Sequence, residues 1–404
     1  MDALVTDLHI RSAVAGLRGL GRAGLKVLGT GPTIGAAGLW SRYTAARALT
    51  PDVLENPSGF ASRVRELAEV HGPLVVYPGR EEAIDALLAA SPSAKLRLPY
   101  AGPTALRALR DKRELIALAS DAGLASPRTL LEVTARELAE TPRLPIPCAV
   151  KPAYAGNRNT LGGTRVFDSG EHLRTVMREL PNPEEPMLVQ ERVEGPLVSL
   201  GLVVGRDGGL AARFQHVATR TWPPEAGSSA LAVSVEPDEQ LAGRAGGMLA
   251  AAGYWGMVEL ELIRTSAGYR LIDVNPRFYG CLPLALACGA NLPAAWHAVA
   301  VDGAVPVPGE YSVGVHYRWL EADFSAALRG SPRRLLWRPP RPRAGAFWAS
   351  DDRRPGALLA ADAVAARVRR RLPGRSGSPF TPTSGRPAPV HDAVATREEA
   401  KAPR

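Results

Sequence analysis

Apolar positions along this chain follow two periods, and the places where one gives way to the other mark its organisation. Over residues 1–102 short apolar runs alternate with amphipathic stretches: ALVT reads as a strand, IRSAVAGLRGLGRAG as a helix and LKVLGTG as a second strand. The segment PTIGAAGLWSRYTAARALTPD predicts loop and short helix, and ASRVRELAEVHG and EEAIDALLAA predict helices on either side of the strand LVVYPG. Strands alternating with helices predict an α/β unit whose parallel sheet is covered on both faces. The segment GLGRAG ends a helix and precedes a strand, the wrong order for a dinucleotide fingerprint.

Asp111 and Lys112 open the next amphipathic helix, DKRELIALASDAGLASPRT, with Leu115, Ile116, Leu118 and Ala119 on one face. Strand-like runs then dominate. PCAVKPAYAGNRNTLGGTRVF predicts a strand ending in Lys151, a Gly-rich loop, and Gly162 and Gly163 before another strand. MVELELI and YRLIDVN flank the turn signal TSAG and predict an antiparallel hairpin. Between them, HVATRTWPPEAGSSA is rich in Pro, Gly and Ser and predicts a mobile loop between strand-like runs. Residues 306–371 predict a C-terminal lobe, strand then helix then turn and helix. Beyond Leu372 there is no apolar period, and disorder is expected because too little apolar surface offsets the ordering entropy.

The 404 residues, 46% hydrophobic and 22% charged, suit a globular protein of two or three domains. The net charge of +9 would raise nucleic acid as a partner were it on the body. From Ser331 onward Lys and Arg exceed Asp and Glu by 10, which leaves the first 330 residues at −1. Nucleic-acid binding is therefore not expected, since aromatics interleaved with the tail's arginines are few. No long uncharged apolar run predicts a membrane span. The first residues carry acids and no basic-then-apolar leader, so a cytoplasmic location is expected. Cys148, Cys281 and Cys288 lack metal-ligand spacing and, being three in number, do not form a disulfide framework.

The hairpin of residues 256–280 carries the most chemistry. Side chains alternate faces along a strand, so Glu259 and Glu261 share one face of the first strand, and Asp273 and Asn275 share one face of the second. A Glu-x-Glu on a strand serves equally as a solvated face. If pairing joins the two faces, oxygen ligands suited to Mg²⁺ converge, and Arg277 adds a cation on the same side.

The run Asp273-x-Asn275-Pro276-Arg277 resembles the strand-end signature of the ATP-grasp superfamily, with Glu261 in the place of the acid on the preceding strand. The resemblance implies that Glu261, Asp273 and Asn275 hold Mg²⁺ or Mn²⁺ and that Arg277 faces the reacting phosphate. It further implies that Lys112, Lys151, Gly162 and Gly163 contact ATP phosphates, and that Gln190, Glu191 and Val193, in MLVQERVEGPLVSLGLVV, line the adenine pocket. Relatives often carry a ribose-binding acid where Leu197 stands here, so either Glu194 substitutes for it or the ribose is held loosely. Residues 1–102 resemble the preATP-grasp domain of relatives of carbamoyl phosphate synthase and biotin carboxylase, including Ser41-Arg42-Tyr43. The fold implied is a preATP-grasp α/β domain (1–102), a two-lobed α+β ATP-grasp domain (103–305), a C-terminal lobe (306–371) and a basic tail (372–404).

The function implied is an ADP-forming ligase: ATP phosphorylates a small carboxylate, and an amine or similar nucleophile displaces phosphate. Arg220 is the candidate for gripping the acceptor carboxylate, because guanidinium matches carboxylate bidentately; a surface arginine on a hairpin is the alternative. His216 is read as structural. A nucleotide-binding protein that regulates or assembles without catalysis is the other functional class, and a homo-oligomer is compatible with either.

Overall fold

The apolar triplet Ala3–Val5 (β1) is wholly buried, and the chain builds outward from it. In the computed structural model, which describes residues 1–154, 161–224, 226–303, 306–329 and 344–369, β1 is followed by α1 (Arg11–Arg22), β2 (Val27–Gly31) and β3 (Thr44–Leu49). Then come α2 (Pro57–His71), β4 (Leu74–Tyr77), α3 (Glu81–Ala89) and β5 (Leu96–Arg97). The strands form a parallel sheet of order β3-β2-β1-β4-β5. The expectation of loop and short helix over residues 32–52 is corrected here. Only Ala37–Trp40 is helical, a single 3₁₀ turn, and TAARAL is the edge strand β3. Its alternate residues Ala45, Arg47 and Leu49 face solvent, so it lacks the continuous apolar run that announces a central strand.

Helices α4 (Pro103–Arg110) and α5 (Lys112–Asp121) lead into β6 (Thr129–Thr134), α6 (Ala135–Glu140), β7 (Cys148–Pro152), β8 (Arg165–Phe167), α7 (Gly170–Arg178) and β9 (Pro186–Glu191). Side chains start these helices: Asp111 caps α5, Ser169 caps α7, and Thr134 with Glu137 closes a capping box on α6. Strands β6-β9-β7-β8 form a sheet with its own core, which includes Leu138, Val150, Phe167, Leu173 and Met187.

The chain continues through β10 (Leu197–Val204), β11 (Leu210–Trp222), β12 (Ser228–Ser234), α8 (Glu239–Ala251), β13 (Gly256–Thr265), β14 (Gly268–Asn275), α9 (Leu282–Cys288) and α10 (Leu292–Asp302). It ends in β15 (His316–Arg318), α11 (Leu320–Arg329), β16 (Ala344–Gly345) and α12 (Arg354–Arg369). Strands β14-β13-β10-β11-β12-β15-β16 make one seven-stranded sheet. The segment expected as a mobile loop is instead mostly strand, since β11 runs to Trp222 and β12 starts at Ser228. Pairing with β10 and β12 satisfies the backbone that local composition assigned to a loop.

One continuous core joins the N-terminal sheet to this large sheet. Tyr77, Phe278 and Trp296 lock it edge to face, with Trp296 at 4.9 Å from Tyr77 and 5.3 Å from Phe278. Residues 306–329 and 344–369 supply β15 and β16 to the large sheet and a turn that the N-terminal domain holds. Buried Arg18 donates through Nε to Asp352 Oδ2 at 2.9 Å and through Nη2 to the Phe347 carbonyl at 2.8 Å. Ser41 Oγ and the Arg42 backbone also donate to the Asp352 carboxylate, at 2.7 and 3.0 Å. Asp351 accepts from Arg22 and from the Tyr43 hydroxyl. The expected disordered tail lies outside the described residues.

Candidate active site

In the β13–β14 hairpin Glu261 is paired with Asp273, and Glu259 with Asn275. The same rows continue across β10 and β11: Asp273–Glu261–Ser199–His216 and Asn275–Glu259–Gly201–Phe214. Directly paired residues of antiparallel strands share a face, so three carboxylates and one amide occupy one corner of the sheet. A bulge after Glu261 leaves Ile272 without a partner in the register. The Ile272 carbonyl accepts from Lys151 Nζ at 2.9 Å.

Asp273 and Glu259 are hydrogen-bonded. Lys112 Nζ donates to Asp273 Oδ1, and the Val274 backbone donates to the same oxygen at 2.7 Å. Asn275 Nδ2 donates to Glu259 at 3.2 Å, while its Oδ1 accepts from Arg277 Nη2 at 3.1 Å. Arg277 also pairs with Glu81, at the start of α3, at 3.3 Å. Lys112 reaches this corner because Asp111 caps α5 and the Lys112 N–H donates to the Ala153 carbonyl at 2.8 Å, which fixes α5 against the end of β7.

Burial pushes the Glu259 carboxyl up to about 7, opposed by Arg277. Glu261 is pushed up to about 8 by burial and then by the charges of Glu259 and Asp273. Burial raises Asp273 too, but Lys112 and Lys151 outweigh it and hold this carboxyl below its ordinary value. Lys151 falls to about 8 through burial and the neighbouring Lys112. Acids forced towards protonation by burial and mutual repulsion fit a divalent cation, whose charge relieves both effects. Among the described residues no group of three or more His, Cys, Asp or Glu forms a complete metal-ligand set. The donors here are all oxygen and few, which suits Mg²⁺ sites completed by water and substrate phosphates.

The remaining expected residues occupy the small sheet and its connections. Gly162 and Gly163 adopt positive φ of 74° and 112°, which suits glycine; residues 155–160 of the same loop lie outside the described residues. Gln190 is buried and its Nε2 donates to the Pro127 carbonyl at 3.2 Å. The Glu191 carboxylate accepts from the Arg128 backbone at 3.0 Å. Val193 lies between β9 and β10, and the exposed Glu194 pairs with Arg192 at 3.3 Å. Arg220 is ion-paired with buried Asp323, which also accepts from Arg318 at 2.7 Å. His216 is fully buried with neither ring nitrogen hydrogen-bonded among the described residues. Burial lowers it to about 3, so it is a neutral packing residue beside Tyr279. Sequence reasoning missed Glu81, whose link to Arg277 spans 196 residues and carries no local signal.

A family described as "ATP-grasp in the biosynthetic pathway with Ter operon" matches residues 183–322. Among solved structures, the chain is similar to biotin carboxylase from Campylobacter jejuni in its β,γ-ATP complex (TM-score 0.56, 14% identity, 78% of this chain and 74% of that one). It is also similar to the biotin carboxylase domain of 2-oxoglutarate carboxylase from Hydrogenobacter thermophilus, solved with MgADP and bicarbonate (TM-score 0.56, 13% identity, 78% and 73%). A third similar structure is L-amino acid ligase from Bacillus licheniformis (TM-score 0.51, 15% identity, 76% and 77%). No curated protein matches the sequence. Among the described residues no single helix is long and apolar enough to cross a membrane.

Proposed function

We propose that the chain, whose residues 183–322 match an ATP-grasp family and whose fold is that of biotin carboxylase and L-amino acid ligase, is an ADP-forming ligase that activates a small carboxylate for attack by an amine or similar nucleophile. One observation carries the reading: the register that sets Glu261 against Asp273 and Glu259 against Asn275, with Lys112 and Lys151 at the same corner.

ATP lies between the β7–β8 segment and the β13–β14 hairpin. The Gly162 and Gly163 backbone and Lys151 meet the phosphates, and Lys112 turns from Asp273 to them. Gln190 keeps its bond to Pro127 and offers its carbonyl oxygen to the purine edge, beside Glu191 and Val193; Glu194 holds the ribose. Glu261, Asp273 and Asn275 hold Mg²⁺, or Mn²⁺ with the same oxygen donors. The bound cation supplies charge neutralisation along the phosphates. Arg277, oriented by Asn275 and Glu81, stabilises the transferred phosphoryl group. A carboxylate oxygen bonds to the γ-phosphorus as the bond to the β-phosphate oxygen breaks, and ADP leaves. The nucleophile then attacks the acyl carbon and phosphate departs. The chain's part is positioning and charge, because phosphoryl transfer asks little else of a protein.

The test is ADP release over a panel of carboxylates with and without amines. Asp273→Asn and Asn275→Ala should each abolish ADP formation while circular dichroism stays near wild type; melting falls for Asp273→Asn, which leaves the buried Lys112 without its counter-ion. Losing one such contact costs on the order of several kcal/mol of transition-state stabilisation. Near-normal turnover in either variant would sink the assignment. Stoichiometric ATP binding without turnover in the wild type would favour a nucleotide-binding regulator or assembly factor.

A further inference from the structure

We propose that Arg11, stacked on Trp319 beside Gly280, grips the acceptor in this site by binding the carboxylate of a small organic acid. The role of that acid rests on the ligase reading, whereas the binding itself does not.

Arg11 is the first residue of α1, whose N-cap, Ile10, offers no capping side chain. The guanidinium carbon lies 3.5 Å from the centroid of the Trp319 ring. A guanidinium stacked in this way is held in one plane and keeps its N–H edge for a two-point contact with an anion. Other low-exposure arginines have that contact satisfied by the protein: Arg18 by Asp352, Arg110 by Asp85, Arg220 by Asp323 and Arg277 by Glu81. Among the described residues Arg11 makes no ion pair; it meets the Tyr317 hydroxyl, and its Nε is buried without a hydrogen-bond partner. A half-buried cation left in this state has lost part of its hydration, and an anionic ligand would restore what the protein does not supply.

Its place in the fold points to the acceptor. A Cβ on Gly280 would lie 2.6 Å from Arg11 Nη2, so the guanidinium packs against the bare backbone of residue 280. Gly280 belongs to the connection that leaves β14 just past Asn275 and Arg277, and its carbonyl accepts from the Tyr317 hydroxyl at 3.2 Å. Arg11 therefore lies against the connection that leaves the acid cluster while belonging to the N-terminal domain. A carboxylate held on Arg11 would present an oxygen towards the phosphate that the acids and lysines hold.

Phenylglyoxal labelling of the full chain, mapped by peptide mass spectrometry, tests the assignment with acetate, succinate and inorganic phosphate as probes against chloride at equal ionic strength. Acetate or succinate should slow labelling of Arg11 by about tenfold, and chloride should not. Acetate or succinate should also change tryptophan emission in the wild type, less so in Arg11→Lys and not in Arg11→Ala. Protection by phosphate or ATP but by neither carboxylate would assign Arg11 to the nucleotide and overturn the proposal. Protection by none of the probes overturns it as well. If Arg11→Ala fails to fold, labelling of the wild type still decides. Calorimetry with Mg·ATP is run in parallel: absent nucleotide binding with carboxylate protection intact would sink the ligase reading and leave the Arg11 site standing.

Discussion

Asp7 shows how much a single residue can carry here. It is buried at the end of β1 with a positive φ of 59°, accepts from the Thr6 hydroxyl, and accepts from the Gly79 backbone at 3.3 Å. Burial pushes its carboxyl up to about 6, against the pull of Thr6 and Arg80, and Asp52 adds to the rise. The native state thus holds this proton more tightly than the unfolded chain does. Stability from this group is greatest below about pH 4, falls as pH rises to about 6, and stays lower beyond. Asp7→Asn, which tolerates the same backbone, should therefore raise the melting temperature at pH near 8 and change it little near pH 4. The shift corresponds to about 3 kcal/mol at most. A variant that melts below wild type at both pH values would show that the ionised carboxylate is needed. The positions of Lys151, Asp273 and Asn275 could be read from the sequence because each sits at a regular place on a strand. Those of Glu81 and Arg11 could not, because their neighbours lie far along the chain.

Among the elements, the β13–β14 hairpin was legible because alternation states which residues share a face. The bulge that turns the Ile272 carbonyl to Lys151 was not, since nothing in YRLIDVN marks a register shift. The edge strand β3 was missed for the opposite reason, as its exposed alternate residues dilute the apolar signal. The 351–352 turn gives two contrasting tests. Asp352→Ala leaves Arg18, whose side chain is 2% exposed, buried without its counter-ion, which should cost about 3–5 kcal/mol in urea unfolding. Asp351→Ala removes a bidentate pair with Arg22, whose side chains are 29% and 34% exposed, and the Tyr43 hydrogen bond, and should cost less, about 1–2 kcal/mol. Equal effects would mean that Asp352 is not the residue holding this turn.

For the molecule as a whole, the small sheet β6-β9-β7-β8 has a core separate from the one that unites the N-terminal sheet with the large sheet, and the proposed ATP site draws on both. Mg·ATP should therefore slow amide hydrogen exchange in β7–β9 and in β13–β14 together. Protection confined to one of the two would contradict a cleft between them. The sequence by itself determined the alternating α/β start, the hairpin and the acid-amide pattern at its end, because periodicity and turn chemistry are properties of neighbouring residues. Tertiary structure alone decided that β15 and β16 complete the large sheet, that the 351–352 turn docks on Ser41-Arg42-Tyr43, that Asp323 engages Arg220, and that Arg11 lies on Trp319. Those outcomes depend on strand pairing and charge burial between distant segments, for which a local pattern carries no energy term.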